Sequence, residues 1–212
     1  MGVMRKVLPG EEEPDFIVGV VLVKEGQSQQ KYRLCANLVQ PNTRIEFSAQ
    51  PLVSCASALD ELQGLKYKSA LDIKAGYFNI PLAEGMDKYA GVVTQDGLYA
   101  FTRMAFGFSL APGFFQAVMT EVMGRGRQLR AGIYLDDCTV GGNTIEECWA
   151  DTLEAMKRLI RAGMPLNVGK LKLLQLEVPV LGMVLAEERY QLGKKALAKL
   201  FASTLPEDLH EL

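Results

Sequence analysis

The 212-residue chain has a single histidine, His210, close to its C-terminus, so a catalytic triad or a histidine-based acid–base pair has nothing to rest on. Cysteine is sparse as well. Cys35, Cys55, Cys138 and Cys148 include no C-x-x-C pair, which excludes a structural zinc site of clustered thiolate and imidazole ligands. A G-x-x-x-x-G-K-[ST] loop is missing, and with it phosphate handling of the P-loop kind. The longest apolar run, Phe16 to Val23, is eight residues, against the roughly 20 that a membrane-crossing helix requires. The N-terminus turns acidic at Glu11-Glu12-Glu13 before a signal-peptide core develops, and Lys6 stands where N-myristoylation needs Ser or Thr. These absences lead us to expect a cytoplasmic or nuclear protein, neither secreted nor membrane-bound. Excess positive charge is also lacking: 23 Lys and Arg face 25 Asp and Glu, a net charge of −2. That is less basic than most nucleic-acid binders, although a basic channel can lie within an acidic surface.

What remains is an ordinary folded composition, 49% hydrophobic and 23% charged, without repeats, low-complexity tracts or a Ser/Gly linker. Phe16–Val23 reads as a strand and Lys31–Asn37 as its hairpin partner. Ser54 caps a helix over Cys55–Leu62, and Lys68–Ile73 is a strand ending in an acid. Asp96-Gly97 marks a tight hairpin within Gly91–Phe101. Helices are predicted at Ala111–Gly124 and Thr144–Ala162, the latter with Thr144 and Glu147 at capping-box spacing and Gly163-Met164-Pro165 at its end. By 3.6-residue spacing they should turn Phe115, Val118 and Val122, and Leu153, Met156 and Leu159, toward the sheet. Val178–Leu185 and Tyr190–Leu192 suggest a last hairpin, and Lys194–Ala202 a short helix. Strands and helices in no strict βαβ order predict an α+β fold with a largely antiparallel sheet.

Two features break the rules of packing. Asp136-Asp137 interrupts the apolar run Ile133–Val140, where adjacent carboxylates repel and lose solvation unless a cation or the tip of a turn relieves them. Asp72 ends the strand Ser69-Ala70-Leu71-Asp72. Each alone fits an ordinary turn or strand-end cap. Together, three carboxylates from neighbouring strand ends form a hard-oxygen cluster suited to two Mg²⁺ ions about 4 Å apart, chemistry that needs no histidine.

With these residues in view, the sequence resembles the reverse transcriptases of gypsy-type LTR retrotransposons and their retroviral relatives. Tyr134-Leu135-Asp136-Asp137 is similar to the family's Y-x-D-D box, and Leu71 to Leu82 to its first catalytic-aspartate block. Phe101 to Gln116 resembles the block ending A-P-x-x-F-Q, and Leu166-Asn167 with Lys170, then Val180-Leu181-Gly182, the last palm strands. The resemblance implies the fingers and palm of a right-hand polymerase. A 1–15 extension would precede a fingers–palm domain over 16–212, with fingers at about 16–65 and 85–115. It implies RNA-directed DNA polymerase activity, with two Mg²⁺ (or Mn²⁺) ions held by Asp72, Asp136 and Asp137. Arg33, the Ile73 backbone N–H, Tyr77 and Gln116 would meet the incoming dNTP, with Tyr77 as a gate against the ribose 2′-OH. Gly107, Tyr134 and Leu135 would lie along an RNA or DNA template and its primer. Tyr77 also reads as a core aromatic, and Gly107 and Gln116 as turn and helix-cap residues.

The sequence departs from the family in places. Asn37 and Val39 replace the acid and arginine of C-V-D-Y-R, and Ala105 the proline of M-P-F-G. By resemblance the chain stops near the palm-to-thumb junction, so thumb, RNase H and integrase would belong to the rest of a polyprotein or be replaced by a host assembly. The alternative function is a non-catalytic, reverse-transcriptase-derived module within a larger assembly.

Overall fold

In chain order the elements are β1 (Met4–Lys6), β2 (Val20–Glu25), β3 (Lys31–Ala36), α1 (Val39–Asn42), α2 (Cys55–Asp60), β4 (Tyr67–Asp72), β5 (Gly91–Thr94), β6 (Gly97–Phe101), α3 (Ala111–Gly124), β7 (Ala131–Tyr134), β8 (Asp137–Gly142), α4 (Ile145–Arg161), β9 (Lys172–Gln175), β10 (Val178–Val180), β11 (Met183–Leu185) and β12 (Tyr190–Leu192). The computed structural model describes residues 2–25, 31–45, 54–187, 190–193 and 197–198. Every pairing between these strands is antiparallel, and the fold is α+β. The chain divides into two units, Met1–Leu52 with Ala75–Met119 and Val53–Lys74 with Thr120–Leu212.

In the first unit, β5 and β6 close on the Gln95-Asp96 turn, and β1 adds to the far edge of β6. Val18, Leu38, Ala90, Val92, Phe101 and Ala105 form the buried core there. The β2–β3 hairpin makes a sheet of its own. Its first strand begins at Val20, later than expected, because the Ile17–Gly91 bridge, with the Val18 N–H donating to the Gly91 carbonyl and the Gly91 N–H to that of Phe16, ties the preceding residues to β5 instead.

In the second unit a four-stranded sheet runs in the order β7-β8-β4-β9, and α4 packs against β8 and β4. Thr144 Oγ1 accepts a hydrogen bond from the Glu147 N–H at 3.1 Å, while Glu147 Oε2 accepts from the Asn143 N–H at 3.0 Å, a capping arrangement that the sequence spacing predicts. The far end closes as the Met164 and Gly163 N–H groups return to the Leu159 and Ile160 carbonyls. A smaller sheet, β10-β11-β12, encloses Leu59, Leu62, Val178, Val180 and Leu185. At Gly132 any side chain is excluded, since a Cβ there would lie 2.0 Å from the Ala58 carbonyl oxygen of α2.

Helix registration differs from the sequence expectation in one respect. Phe115 and Val122 of α3 are buried and Val118 is half-buried. On α4 the buried line is Cys148, Asp151, Thr152, Ala155 and Leu159, whereas Leu153 and Met156, expected to face the sheet with Leu159, are only half-buried. Small and polar residues take the sheet-facing line because their polar groups find hydrogen-bond partners. Thr152 Oγ1 donates to the Cys148 carbonyl at 2.6 Å, and Asp151 accepts from Arg127 and from Arg130. Buried Arg158 donates from Nη1 to the Met123 carbonyl at the end of α3, from Nη2 to the Arg127 carbonyl at 2.7 Å, and from Nε to Glu154 at 2.9 Å. The helix expected at Lys194–Ala202 lies almost wholly outside the described residues; Leu197 and Ala198, which are described, are helical.

Two expectations follow from these buried charges. Arg158→Ala leaves two carbonyls without their donor and should cost on the order of 3 kcal/mol in urea unfolding. Lys68, fully buried on β4 with its ammonium donating to the Leu65 carbonyl, has a pKa pushed below the lysine range by burial, only partly offset by Glu187 and Glu177. The unfolded chain therefore binds more protons between the depressed value and about 10.4, and wild-type stability gains there as pH rises. Lys68→Met should raise the unfolding midpoint at pH 7, with a gain that shrinks towards pH 10.

Candidate active site

Register decides the site. On β4 and β8, Leu71 stands opposite Cys138 and Asp72 opposite Asp137. Directly opposed residues of antiparallel strands share one face, with Cβ atoms about 5 Å apart. Tyr134 pairs with Asp137, so Leu135 and Asp136 form the two-residue loop of the β7–β8 hairpin. Leu135 has φ +52°, a left-handed conformation that a leucine adopts at a cost of about 1 kcal/mol. Beyond Asp72, β4 is secured from its other edge: the Asn167 N–H donates to the Asp72 carbonyl and the Lys74 N–H to the Pro165 carbonyl, both at 2.8 Å. These bonds flank the Ile73–Leu166 pair, so the Ile73 N–H points away from that segment.

Asp72 and Asp137 border a cleft of about 410 Å³, which Thr139, Lys170, Lys172 and Val180 also line. Lys170 Nζ lies 3.0 Å from Asp72 Oδ1. The Asp137 carboxyl is raised above the usual carboxylate range, first by its surroundings excluding water, then by the negative charges of Asp136 and Asp72, with Lys170 pulling the other way. Repulsion among the acids was the sequence expectation; desolvation is the larger cause. A tight three-carboxylate cluster was also expected. Among the described residues no three His, Cys, Asp or Glu side chains gather closely enough to hold a metal ion. Asp72 and Asp137 pair across the ladder and Asp136 sits on the loop tip; Asp136 and Asp137 are both exposed. The donor set still fits Mg²⁺ or Mn²⁺ in kind, being hard carboxylate oxygens that already draw a cationic ammonium.

The remaining predicted residues divide between the units. Ile73, Tyr134 and Leu135 accompany the aspartates in the second, where Ile73 is buried and Tyr134 hydrogen-bonds the Cys55 side chain, raising its phenol pKa. Arg33, Tyr77, Gly107 and Gln116 belong to the first. Arg33 pairs with Val23 on the β2–β3 hairpin, and its side chain lies outside the described residues. Tyr77 is half-buried in a short 3₁₀ turn, edge-on to Phe106 at 5.0 Å and Phe115 at 5.3 Å between ring centroids. Gln116 is buried on α3. Gly107 has φ +112°, and a Cβ there would come within 2.9 Å of the Ala36 carbonyl oxygen, so both backbone and space demand glycine. Of the family departures, Asn37 accepts from the Val39 N–H at 3.4 Å and Val39 is exposed.

Two further residues hold site segments in place. Lys170 entered the sequence reading only as part of a strand motif; its contact with Asp72, 98 residues away, has no local signal. Asn42 was passed over. Its Nδ2 donates to the Gly107 carbonyl at 2.8 Å and its Oδ1 accepts from the Ser109 N–H at 3.0 Å, pinning the loop that carries Gly107. A polar residue ending a one-turn helix was the available clue.

Comparison with known proteins shows the family and the fold. The family signature "Reverse transcriptase (RNA-dependent DNA polymerase)" matches residues 24–185. The chain is 30% identical over 154 residues to the retrovirus-related Pol polyprotein from transposon 412 of Drosophila melanogaster, covering 73% of this chain and 12% of that protein. It is 22% identical to the transposon Tf2-3 polyprotein of Schizosaccharomyces pombe, covering 81% of this chain and 13% of the relative. The chain thus spans only a small part of these polyproteins. Among solved structures it superposes on the foamy viral protease–reverse transcriptase in complex with double-stranded DNA, with a TM-score of 0.85 and 21% identity over 99% of this chain and 35% of the other. The same viral protein with an RNA/DNA hybrid gives 0.79, covering 99% of this chain and 27% of the other. The fold is that of reverse-transcriptase fingers and palm, and the chain belongs to the reverse transcriptase family, with retrotransposon Pol polyproteins among its relatives.

Proposed function

We propose that this chain is the fingers–palm portion of an RNA-directed DNA polymerase, adding dNTPs to a primer 3′-OH. The observation that carries this reading is the opposition of Asp72 and Asp137 across β4 and β8, beside a cleft and next to Asp136 on the adjoining loop. A folded scaffold has no physical use for such a costly pairing of carboxylates. Asp72, Asp136 and Asp137 would hold the divalent ions, which when bound make the 3′-OH a better nucleophile and offset charge on the leaving pyrophosphate.

The chain's own groups supply orientation. By the family resemblance, the Ile73 backbone at the end of β4 would lie near the triphosphate. The Tyr77 ring, held between Phe106 and Phe115, is rigid enough to act as a steric gate at a sugar 2′ position. The first unit corresponds to fingers and the second to palm. Template and primer are to be gripped mainly through their backbones, so binding should weaken with salt.

Primer extension with dNTPs and Mg²⁺, by the chain alone and joined to a thumb-bearing segment, tests the reading. Asp137→Asn should reduce extension on the order of a thousandfold while leaving primer–template binding largely intact. It should also raise the unfolding midpoint at pH 7. A carboxylate whose folded pKa is raised loses stability as pH rises from its unfolded towards its folded value, and asparagine escapes that loss. The gain should vanish below about pH 3, where both forms are protonated. Tyr77→Ala should increase ribonucleotide incorporation relative to deoxynucleotides in the same assay. Absence of Mg²⁺-dependent extension even with a thumb supplied would leave the non-catalytic module as the function.

A further inference from the structure

The exposed side of α4 carries an apolar stripe that nothing in the polymerase reading uses. Ile145 is 46% exposed, Trp149 41% and Ile160 64%, with Leu153 and Met156 half-buried between them. At 100° per residue these five fall within an arc of about 80°, centred about 90° from the line of Cys148, Thr152, Ala155 and Leu159 that meets the sheet. Trp149, Leu153, Met156 and Ile160 follow one another at spacings of four, three and four, the a/d rhythm by which one helix packs along another. The stripe is about 22 Å long from Ile145 to Ile160.

Charge on the helix says which partner fits. The first turn is acidic, with Glu146 and Glu147, and the last turn basic, with Arg158 and Arg161. Glu147 and Arg158 are engaged within the unit, by Arg130 and Glu154. Glu146 and Arg161 are exposed on the outer flank of the stripe. Two such helices side by side in the same direction would set acid against acid and base against base. Turned antiparallel about a twofold axis near Leu153, they bring Glu146 of each copy opposite Arg161 of the other, and their dipoles align favourably. A twofold contact of this kind is self-complementary by construction.

We propose that the exposed stripe of α4 is a homodimer surface, on which a second copy of this chain packs its own α4 antiparallel, with Trp149, Leu153, Met156 and Ile160 as the seam and Glu146–Arg161 pairs at both ends. Trp149 is its anchor, combining the largest apolar area with few rotatable bonds. The surface is independent of whether the aspartates are catalytic.

Sedimentation velocity of the full chain over about a hundredfold concentration range tests this directly, with far-UV circular dichroism confirming that each variant is folded. Wild type should show a reversible monomer–dimer equilibrium. Trp149→Ala should weaken it about tenfold or more, and Ile160→Glu should leave only monomer. Glu146→Arg should weaken the dimer, and adding Arg161→Glu to it should restore wild-type association. A chain that stays monomeric throughout, or a dimer indifferent to Trp149→Ala and Ile160→Glu, overturns the proposal and assigns the stripe to a different partner. A dimer that needs the stripe but shows no rescue by the double charge reversal overturns the antiparallel arrangement.

Discussion

The register between β4 and β8 is the constraint from which the site follows. Side chains alternate along each strand, so one pairing sorts both strands at once. Ser69, with Cys148 Sγ 3.7 Å from its hydroxyl, shares its face with Leu71 and Cys138, and that face is closed by α4. Ala70, Asp72, Asp137 and Thr139 occupy the other face and line the cleft. A slip of one residue would turn the acids toward α4 and expose Leu71 and Cys138, so the apolar face that stabilises the sheet is also what fixes where the carboxylates emerge. Burial of the Cys138 thiol, which pushes its pKa up to about 12, reflects the same sorting.

Placing acids there has an electrostatic consequence that the surrounding residues moderate without abolishing. Lys170 neutralises Asp72 from the end of a short 3₁₀ turn, and Thr139 and Lys172 add a hydroxyl and a second basic residue to the cleft wall. Among the described residues Asp137 has no ion pair comparable to that of Asp72, and its carboxyl pKa is raised. Negative charge is therefore left only partly compensated on the sheet face and at the loop tip, where Asp136 follows a strained Leu135. Strain and unpaired charge concentrated within a few residues are what local sequence rules cannot explain, and they coincide with the residues that those rules flagged.

Much of this was legible because the signals are local. The Thr144 cap, the Asp-Gly hairpin, the strand ending at Asp72 and the apolar run broken by Asp136-Asp137 each rest on neighbouring residues, and each element formed near its expected bounds. What was not legible depends on distant partners. A three-residue strand such as β1 carries too few residues for any periodicity, and exists because β6 offers an open edge. Lys170 could not be connected to Asp72, nor Asn42 to Gly107 and Ser109, from spacing alone. The sheet-facing line of α4 was misassigned for a related reason: hydrophobicity pointed to Leu153 and Met156, but Thr152 is satisfied by the Cys148 carbonyl one turn back, and Asp151 and Arg158 by residues outside α4, which suits them for burial.

That misassignment connects the four-stranded sheet to the outer surface. With Cys148 and Ala155 on the sheet-facing line, α4 approaches β8 closely, and residues as large as Trp149 or Met156 could enter that line only by pushing helix and sheet apart. The Asp151–Arg127–Arg130 and Arg158 contacts then fix the helix's rotation, since turning it to bury the larger side chains would draw Asp151 and Arg158 away from their partners. Close packing behind the aspartates and an apolar stripe on the outside are thus two results of one rotational setting. The polar network that holds α4 against the strands bearing Asp72 and Asp137 is also what keeps Ile145, Trp149 and Ile160 out of the core.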